Sequence, residues 1–247
     1  MAFATGLTDF HAHVLPGADH GSDSEHTSIT QLKLLQSARA ESVVATPHFY
    51  PNEISVSRFL KKRNESALRL QKAVGVQKLP EIYIGAEVLV CPHIDSLPDL
   101  ASLCIAGTKT ILLEMPFGKW SEDLYETVYG ISRSGLVPVM AHADRYSLSQ
   151  VQRLIFDTGV RVQLNADCFT RFFAARGAKK LLSDGSVAAV GSDIHGADRR
   201  SAKLFQDFFK RTEENRERIC ESSISLLRGA LPLDKFLSDK QTLKGDC

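Results

Sequence analysis

Paired cysteines, long apolar runs and a dominant sign of charge are all missing from this 247-residue chain. The five cysteines, Cys91, Cys104, Cys168, Cys220 and Cys247, are odd in number and contain no CxxC pair. That argues against a disulfide framework and against a zinc ribbon, and a reducing compartment, read here as the cytoplasm, is the simpler setting. No apolar stretch reaches the roughly 18 residues of a bilayer-spanning helix, so no membrane insertion is expected. Lys plus Arg number 30 against 29 for Asp plus Glu, a balance that excludes a nucleic-acid partner held by bulk charge. The opening residues, MAFATGLTDF, are too short and too uncharged before the first strand to read as a secretory signal. Linkers, internal repeats and low-complexity segments are absent as well. Residues 1–247 therefore read as one domain, with a polar tail from about 234 that is expected to fray. The oligomeric state is not legible.

What is present is enough apolar sequence, 43%, to build a full core, and a regular alternation. Short apolar runs bounded by turns occur at 7–10, 42–46, 82–86, 110–113, 137–141, 160–164 and 187–192, and such runs read as buried strands. Between them lie helical stretches at 25–40, 56–74, 124–134, 149–158, 170–183 and 201–211, with one more at 212–229. Repeated βα units imply a parallel sheet. Seven strands are one short of a full eight-stranded barrel, and a distorted TIM-like (β/α)7 barrel is preferred over a doubly wound sheet. A flat sheet would spread the strand ends too far apart to share one small metal cluster.

The strand ends carry the chemistry. His11, His13, His48, Glu87, Glu114, His142, Asp193 and His195 each fall at or just past the end of an apolar run, where a barrel enzyme builds its active site. His11 and His13 are two apart in an extended segment, so both imidazoles point the same way; Asp193 and His195 repeat the spacing at the last strand. Asp9 lies on the same face and is a candidate to orient a histidine ring. Glu87 and Glu114 directly follow buried strands, where a carboxylate is costly unless paired or bound to a cation. Pairing with an arginine such as Arg145 is the plainer account of these two. Mixed His, Asp and Glu ligands suit Zn, Mn or Fe, and more candidates than one ion can use imply two or three ions. His20 can be a ligand, a proton donor or a turn residue. His26 reads as solvent-facing and His93 as a loop residue. Arg145 follows His142 by three, and Arg199 and Arg200 follow His195 by four and five. Arginines beside a metal cluster fit a site that receives phosphate, although Arg199 and Arg200 can equally begin an exposed helix.

The motifs Asp9-Phe-His11-Ala-His13, Thr46-Pro47-His48, Gly85-Ala-Glu87, Leu113-Glu114, Ala141-His142-Ala-Asp-Arg145-Tyr146, Gln163-Leu-Asn165 and Ser192-Asp193-Ile-His195 resemble the polymerase and histidinol phosphatase (PHP) superfamily. With Val14-Leu-Pro-Gly-Ala-Asp-His-Gly21 they resemble, more narrowly, the PHP-type protein-tyrosine phosphatases of bacterial capsule and exopolysaccharide gene clusters. The resemblance implies a distorted (β/α)7 barrel and a centre of two or three divalent or trivalent ions, Mn, Fe or Zn. It makes His11, His13, Glu87 and Asp193 ligands of one ion with Glu87 bridging, and distributes His48, Glu114, His142 and His195 over the other positions. Arg145 and Arg200 would take the phosphate. His20 stands where the family usually has an aspartate, His142-Ala-Asp-Arg145 where it has His-Pro-Glu-Arg, and Gly196 where Asn is frequent.

The expected reaction is hydrolysis of a phosphate monoester by in-line attack of a hydroxide shared between metals. The expected substrate is a tyrosine-phosphorylated protein, such as a capsule-cluster tyrosine kinase. Histidinol phosphate or another small phosphoester is the alternative, and a non-catalytic metal-binding regulatory module the remote one. Phosphocysteine chemistry needs an arginine six positions after the nucleophile. Cys91, Cys104, Cys168 and Cys220 are followed there by Leu97, Thr110, Ala174 and Leu226, which excludes it.

Overall fold

A computed structural model describes residues 6–245. Each strand is short because each apolar run is short. Among the described residues nine strands form: β1 (Leu7–Ala12), β2 (Ala40–Ala45), β3 (His48–Phe49), β4 (Glu81–Ile84), β5 (Glu87–Leu89), β6 (Thr110–Glu114), β7 (Val137–Met140), β8 (Arg161–Asn165) and β9 (Val187–Gly191). Among the same residues eight helices lie between and after them: α1 (Glu25–Ser37), α2 (Val56–Val74), α3 (Glu122–Arg133), α4 (Leu148–Thr158), α5 (Phe172–Ser183), α6 (Arg199–Arg211), α7 (Glu213–Leu226) and α8 (Leu233–Gly245). Starts are set by side-chain caps. The Ser24 hydroxyl accepts from the Thr27 N–H before α1, and the Asp198 carboxylate accepts from the Arg200 and Ser201 N–H groups before α6, which satisfies donors that have no partner inside the helix.

All strand pairs are parallel, in two sheets ordered β1-β2-β4 and β3-β5-β6-β7-β8-β9. The expected α/β class holds. The expected ring of seven strands is not drawn by the hydrogen bonds, which form two ladders that do not close. Two strand paths continue past the apolar runs and are each interrupted. Thr46-Pro47 separates β2 from β3, where proline supplies no N–H, and Gly85-Ala86 separates β4 from β5. The Gly85 and Glu87 N–H groups instead donate to the Ala45 and Pro47 carbonyls, at 2.9 and 3.1 Å. Between β1 and the segment after β9 there is a single parallel bridge, Ala12 with Ile194.

β1, β6 and β9 are buried along their whole length, as parallel strands covered on both faces must be. Phe10, Val44, Leu112, Val139 and Ala189, from five strands of both sheets, share one apolar cluster with Leu226 at the end of α7. The polar tail expected to fray from 234 is instead helix α8, with Leu233 and Phe236 buried against the rest of the core. Those two are three apart and fall on one helical face, which is why the segment docks. No helix among the described residues is long and apolar enough to cross a membrane, and Cys91, Cys104, Cys168 and Cys220 are unpaired.

Candidate metal centre

The strands end in polar atoms that converge. His11 lies in β1 and His13 directly after it, both buried; His48 opens β3, Glu87 opens β5 and Glu114 ends β6. His142 follows β7, and Asp193 and His195 follow β9. Two of these residues have left-handed backbones, His142 at φ +33° and Asp193 at φ +52°. Such a conformation disfavours an L side chain and persists only where surrounding structure enforces it. Here it turns each side chain back over the end of its strand.

Glu87 is the hub. Its Oε1 lies 2.8 Å from His142 Nε2, and its Oε2 lies 2.9 Å from His48 Nδ1, 3.1 Å from His11 Nε2 and 3.4 Å from His13 Nε2. Asp193 Oδ1 is 3.7 Å from His11 Nε2 and 3.4 Å from His13 Nε2, and the two Nε2 atoms are 3.1 Å apart. Ligands about 2.0–2.1 Å from a tetrahedral ion sit about 3.3–3.4 Å from one another. His11, His13 and Asp193 bring their donor atoms within 4.8 Å of one another, and Glu87 Oε2 lies within 3.4 Å of both histidine nitrogens. Two further sets, His48 with Glu87 and Glu114, and His13 with His48 and His195, bring their donor atoms within 4.8 Å of one another.

The tautomers agree with this reading. His11 Nδ1 lies 3.2 Å from Gln163 Oε1, which also accepts the His142 N–H. His13 Nδ1 lies 2.7 Å from Asp19 Oδ2, and His195 Nδ1 lies 3.0 Å from the Asp193 carbonyl. In each case the oxygen beside Nδ1 favours the proton on that nitrogen, and the neutral ring then has its lone pair at Nε2. Those lone pairs face carboxylate oxygens and one another, an arrangement that requires a proton or a cation between them. His48 Nδ1, Glu87 Oε2 and His195 Nε2 are buried and have no hydrogen-bond partner, a costly state that a cation relieves. The donor set therefore fits metal ions.

Electrostatics follow the same geometry. His11 and His13 are raised above the ordinary histidine range: burial opposes this, but Glu87 and Asp193 outweigh it at His11, and hydrogen bonds to Asp19, Asp193 and Glu87 outweigh it at His13. Glu87 and Asp193 are held well below the usual carboxylate range by the same histidines, against the cost of burial. Burial, then the neighbouring Glu87 charge, pushes Glu114 up to about 6. Burial, then the charge of His13, lowers His195 to about 4.

Arg145 donates to Asp193 Oδ2, so the plainer pairing of this arginine with Glu87 or Glu114 is not what forms. Asp193 is also held by Asn165 Nδ2, at 2.9 Å. His20 is exposed at the rim, with its ring 4.7 Å from that of His195 and 5.0 Å from that of His48. Arg200 is exposed at the first turn of α6, where its backbone N–H donates to Asp198. His26 and His93 are exposed and outside the cluster. Asp9 orients no ring; its Oδ1 accepts the backbone N–H groups of His11 and Ser192, at 3.3 and 2.8 Å, and so ties β1 to the segment after β9. The ring-orienting work falls to Gln163 and to Asp19, which residue-by-residue reading did not single out. Asp19 Oδ2 also accepts the His48 N–H, at 3.1 Å.

A parallel α/β scaffold here collects five histidines and three carboxylates at the ends of its strands, a strand-end cluster of the kind that can hold metal ions. The chain belongs to the capsular polysaccharide synthesis family CpsB/CapC, which matches residues 7–222. It is 25% identical over 213 residues to the tyrosine-protein phosphatase YwqE of Bacillus subtilis, covering 79% of this chain and 80% of the relative. It is 26% identical over 215 residues to the CapC protein of Staphylococcus aureus, covering 82% of each. Among solved structures, one described as that of YwqE from Bacillus subtilis and CpsB from Streptococcus pneumoniae, metal-dependent tyrosine phosphatases, superposes with a TM-score of 0.75 at 21% identity, over 91% of this chain and 96% of the other. A β-aspartyl dipeptidase from Fervidobacterium islandicum shares the fold more loosely, with a TM-score of 0.54 at 12% identity.

Proposed function

We propose that this chain is a metal-dependent protein-tyrosine phosphatase. The observation that carries the reading is the meeting of four histidine rings on the one carboxylate of Glu87, with the Arg145 guanidinium alongside on Asp193. The names of the family relatives support it. Two or three ions, Mn, Fe or Zn, would be held: one by His11, His13, Glu87 and Asp193, a second by His48, Glu87, Glu114 and His142, and a third by His13, His48 and His195 beside His20. When bound, such ions supply positive charge to phosphate oxygens and acidify water to near neutral pH.

This chain's own residues do the rest. Arg145, already half committed to Asp193, turns its remaining N–H groups to the phosphate and holds it in line as charge builds on the equatorial oxygens. Asn165 shares Asp193 with Arg145 and keeps that carboxylate from rotating away. His20, on the exposed rim, is our choice for the group that hands a proton to the leaving phenolate, whose ordinary pKa near 10 makes the demand modest. Arg200 would reach the phosphate from the rim by its side chain alone.

We read the two sheets as parts of one distorted seven-stranded barrel in a single domain. β2 with β3 and β4 with β5 are broken halves of single strands, and side chains of both sheets share one interior cluster. Unpaired thiols favour a cytoplasmic location, where a tyrosine-phosphorylated protein such as a capsule-cluster kinase would be the substrate.

The test is turnover of a tyrosine-phosphorylated peptide against histidinol phosphate by metal-loaded protein, before and after chelation and after thiol alkylation. Peptide turnover abolished by chelator and untouched by alkylation is expected. Preference for histidinol phosphate moves the function to small phosphoesters. Full metal occupancy without turnover of either makes the chain a metal-binding regulator.

A further inference from the structure

The wall of the metal centre continues into a second feature. A cavity of about 440 Å³ opens between the turn after β7 and helix α5, and its lining includes Arg145, Tyr146, Phe173 and Arg176. Two of these link it to the cluster: Arg145 donates to Asp193, and the Tyr146 ring lies 5.7 Å from that of His142. Tyr146 is fixed by donation of its hydroxyl to the Met115 carbonyl, at 2.6 Å, and by the edge of Trp120.

Phe172 and Phe173, side by side at the start of α5, are 80% and 85% exposed and meet edge to face, with ring centroids 5.5 Å apart. Adjacent exposed phenylalanines next to a polar site mark a contact surface rather than ordinary scatter. Arg176, one helical turn on, is exposed and has no ion pair or hydrogen bond among the described residues. Nearby acidic charge is already engaged. Asp144 in the groove floor is buried and bound by the Asn165 N–H, at 2.8 Å, and by Arg171, at 3.0 Å. Asp167 is partnered by Arg171. The groove thus offers an apolar shelf and an uncommitted guanidinium next to the phosphate-binding end.

We propose that this groove is a specificity subsite for the polypeptide flanking the scissile phosphotyrosine, with Phe173 packing on the substrate backbone and Arg176 pairing with an acidic side chain beside the phosphotyrosine. The inference rests on the phosphatase reading above and deepens it: the substrate class is a phosphotyrosine in an acidic context. Arg145 holds the phosphate end and also lines the groove between the turn after β7 and α5, so the groove offers a path to the chain leaving the tyrosine. A guanidinium matches a carboxylate in two-pronged geometry, and charge complementarity of this kind sets partner choice more than raw affinity.

The experiment compares three tyrosine-phosphorylated peptides that differ only in flanking charge, acidic, neutral and basic, each assayed for kcat/KM with metal-loaded wild type, Phe173→Ala and Arg176→Glu. The quantity read is the ratio of acidic to basic peptide within each protein, because a merely structural defect lowers both peptides alike. Wild type is expected to favour the acidic peptide by about tenfold. In Arg176→Glu the ratio is expected to fall to one or below, and in Phe173→Ala the KM of all three peptides rises. A wild-type ratio near one, or a ratio unchanged in Arg176→Glu, overturns the subsite while leaving the phosphatase reading intact. Turnover of none of the three by wild type overturns both. If Phe173→Ala converts a dimer to a monomer and leaves every KM unchanged, the face belongs to self-association and the subsite is overturned.

Discussion

At the scale of single residues, the centre depends on which nitrogen of each ring carries the proton. His11 and His13 present Nε2 because Gln163 and Asp19 accept from Nδ1. Removing such a partner commonly costs 10–100-fold in metal affinity. Asp19→Asn is expected to weaken metal binding by about that factor, read by competition with a coloured chelator, with little change in secondary structure. The raised histidines give a second expectation. A histidine whose folded pKa is raised holds its proton more tightly than an ordinary histidine, and that proton must leave before Nε2 can bind a cation. Metal uptake at pH 7 should therefore release protons, measured as a dependence of the calorimetric heat on the ionisation enthalpy of the buffer. Affinity should fall as the pH is lowered. The sign is set by His11 and His13, since Glu87 and Asp193 are already ionised far below neutrality. Most of the cluster was legible residue by residue, because a histidine or carboxylate placed directly after an apolar run stands out. Asp19 was not, since the carboxylate of an irregular loop carries no periodic signal and its neighbour His20 drew the attention. Arg200 was legible as a motif position, yet position along a helix does not say where a long side chain ends up, and here it starts on the surface.

At the scale of elements, strands β1 and β9 approach so closely that one residue between them can have no side chain. A Cβ on Gly191 would overlap the Cβ of His11. Gly191→Ala must therefore push His11 away from Glu87 or open the bridge beside it. It is expected to lower metal occupancy, read by elemental analysis, and to cost about 1–3 kcal/mol of stability as an overpacked core does, read by chemical denaturation of the metal-free protein. The strand-and-helix alternation was visible in the sequence to within a few residues: α2 spans Val56–Val74 as its apolar spacing indicates, β7 sits inside its run, and β6 extends one residue past its own. The short strands β3 and β5 were not visible, because two or three residues cannot display an alternation. They exist because parallel neighbours, His48 with Glu87 and Leu89 with Glu114, hold them in register.

At the scale of the whole molecule, the C-terminal helix closes the fold from behind the centre. Phe236 of α8 lies over the buried Arg63, with the guanidinium 5.8 Å from its ring, and Arg63 donates to the Gly85 carbonyl at 3.2 Å, two residues before Glu87. Ending the chain after Pro232 would uncover Leu233's partners, the Phe236 site and a cation that burial has already pushed down to about 10. A loss of about 3–5 kcal/mol is expected, the range for emptying a large apolar site, seen as a fall in the unfolding temperature. The sequence hid this because polar residues dominate the segment, and only the pair Leu233 and Phe236 reports its buried side.

The two ladders give one more consequence. His11 and His13 belong to the sheet that carries β1, whereas Glu87, Glu114 and His142 belong to the other. Ions held between them act as rivets across a seam where few backbone bonds cross. Loading the centre would then slow amide exchange on both banks of that seam and raise the melting point, whether or not any substrate is ever offered.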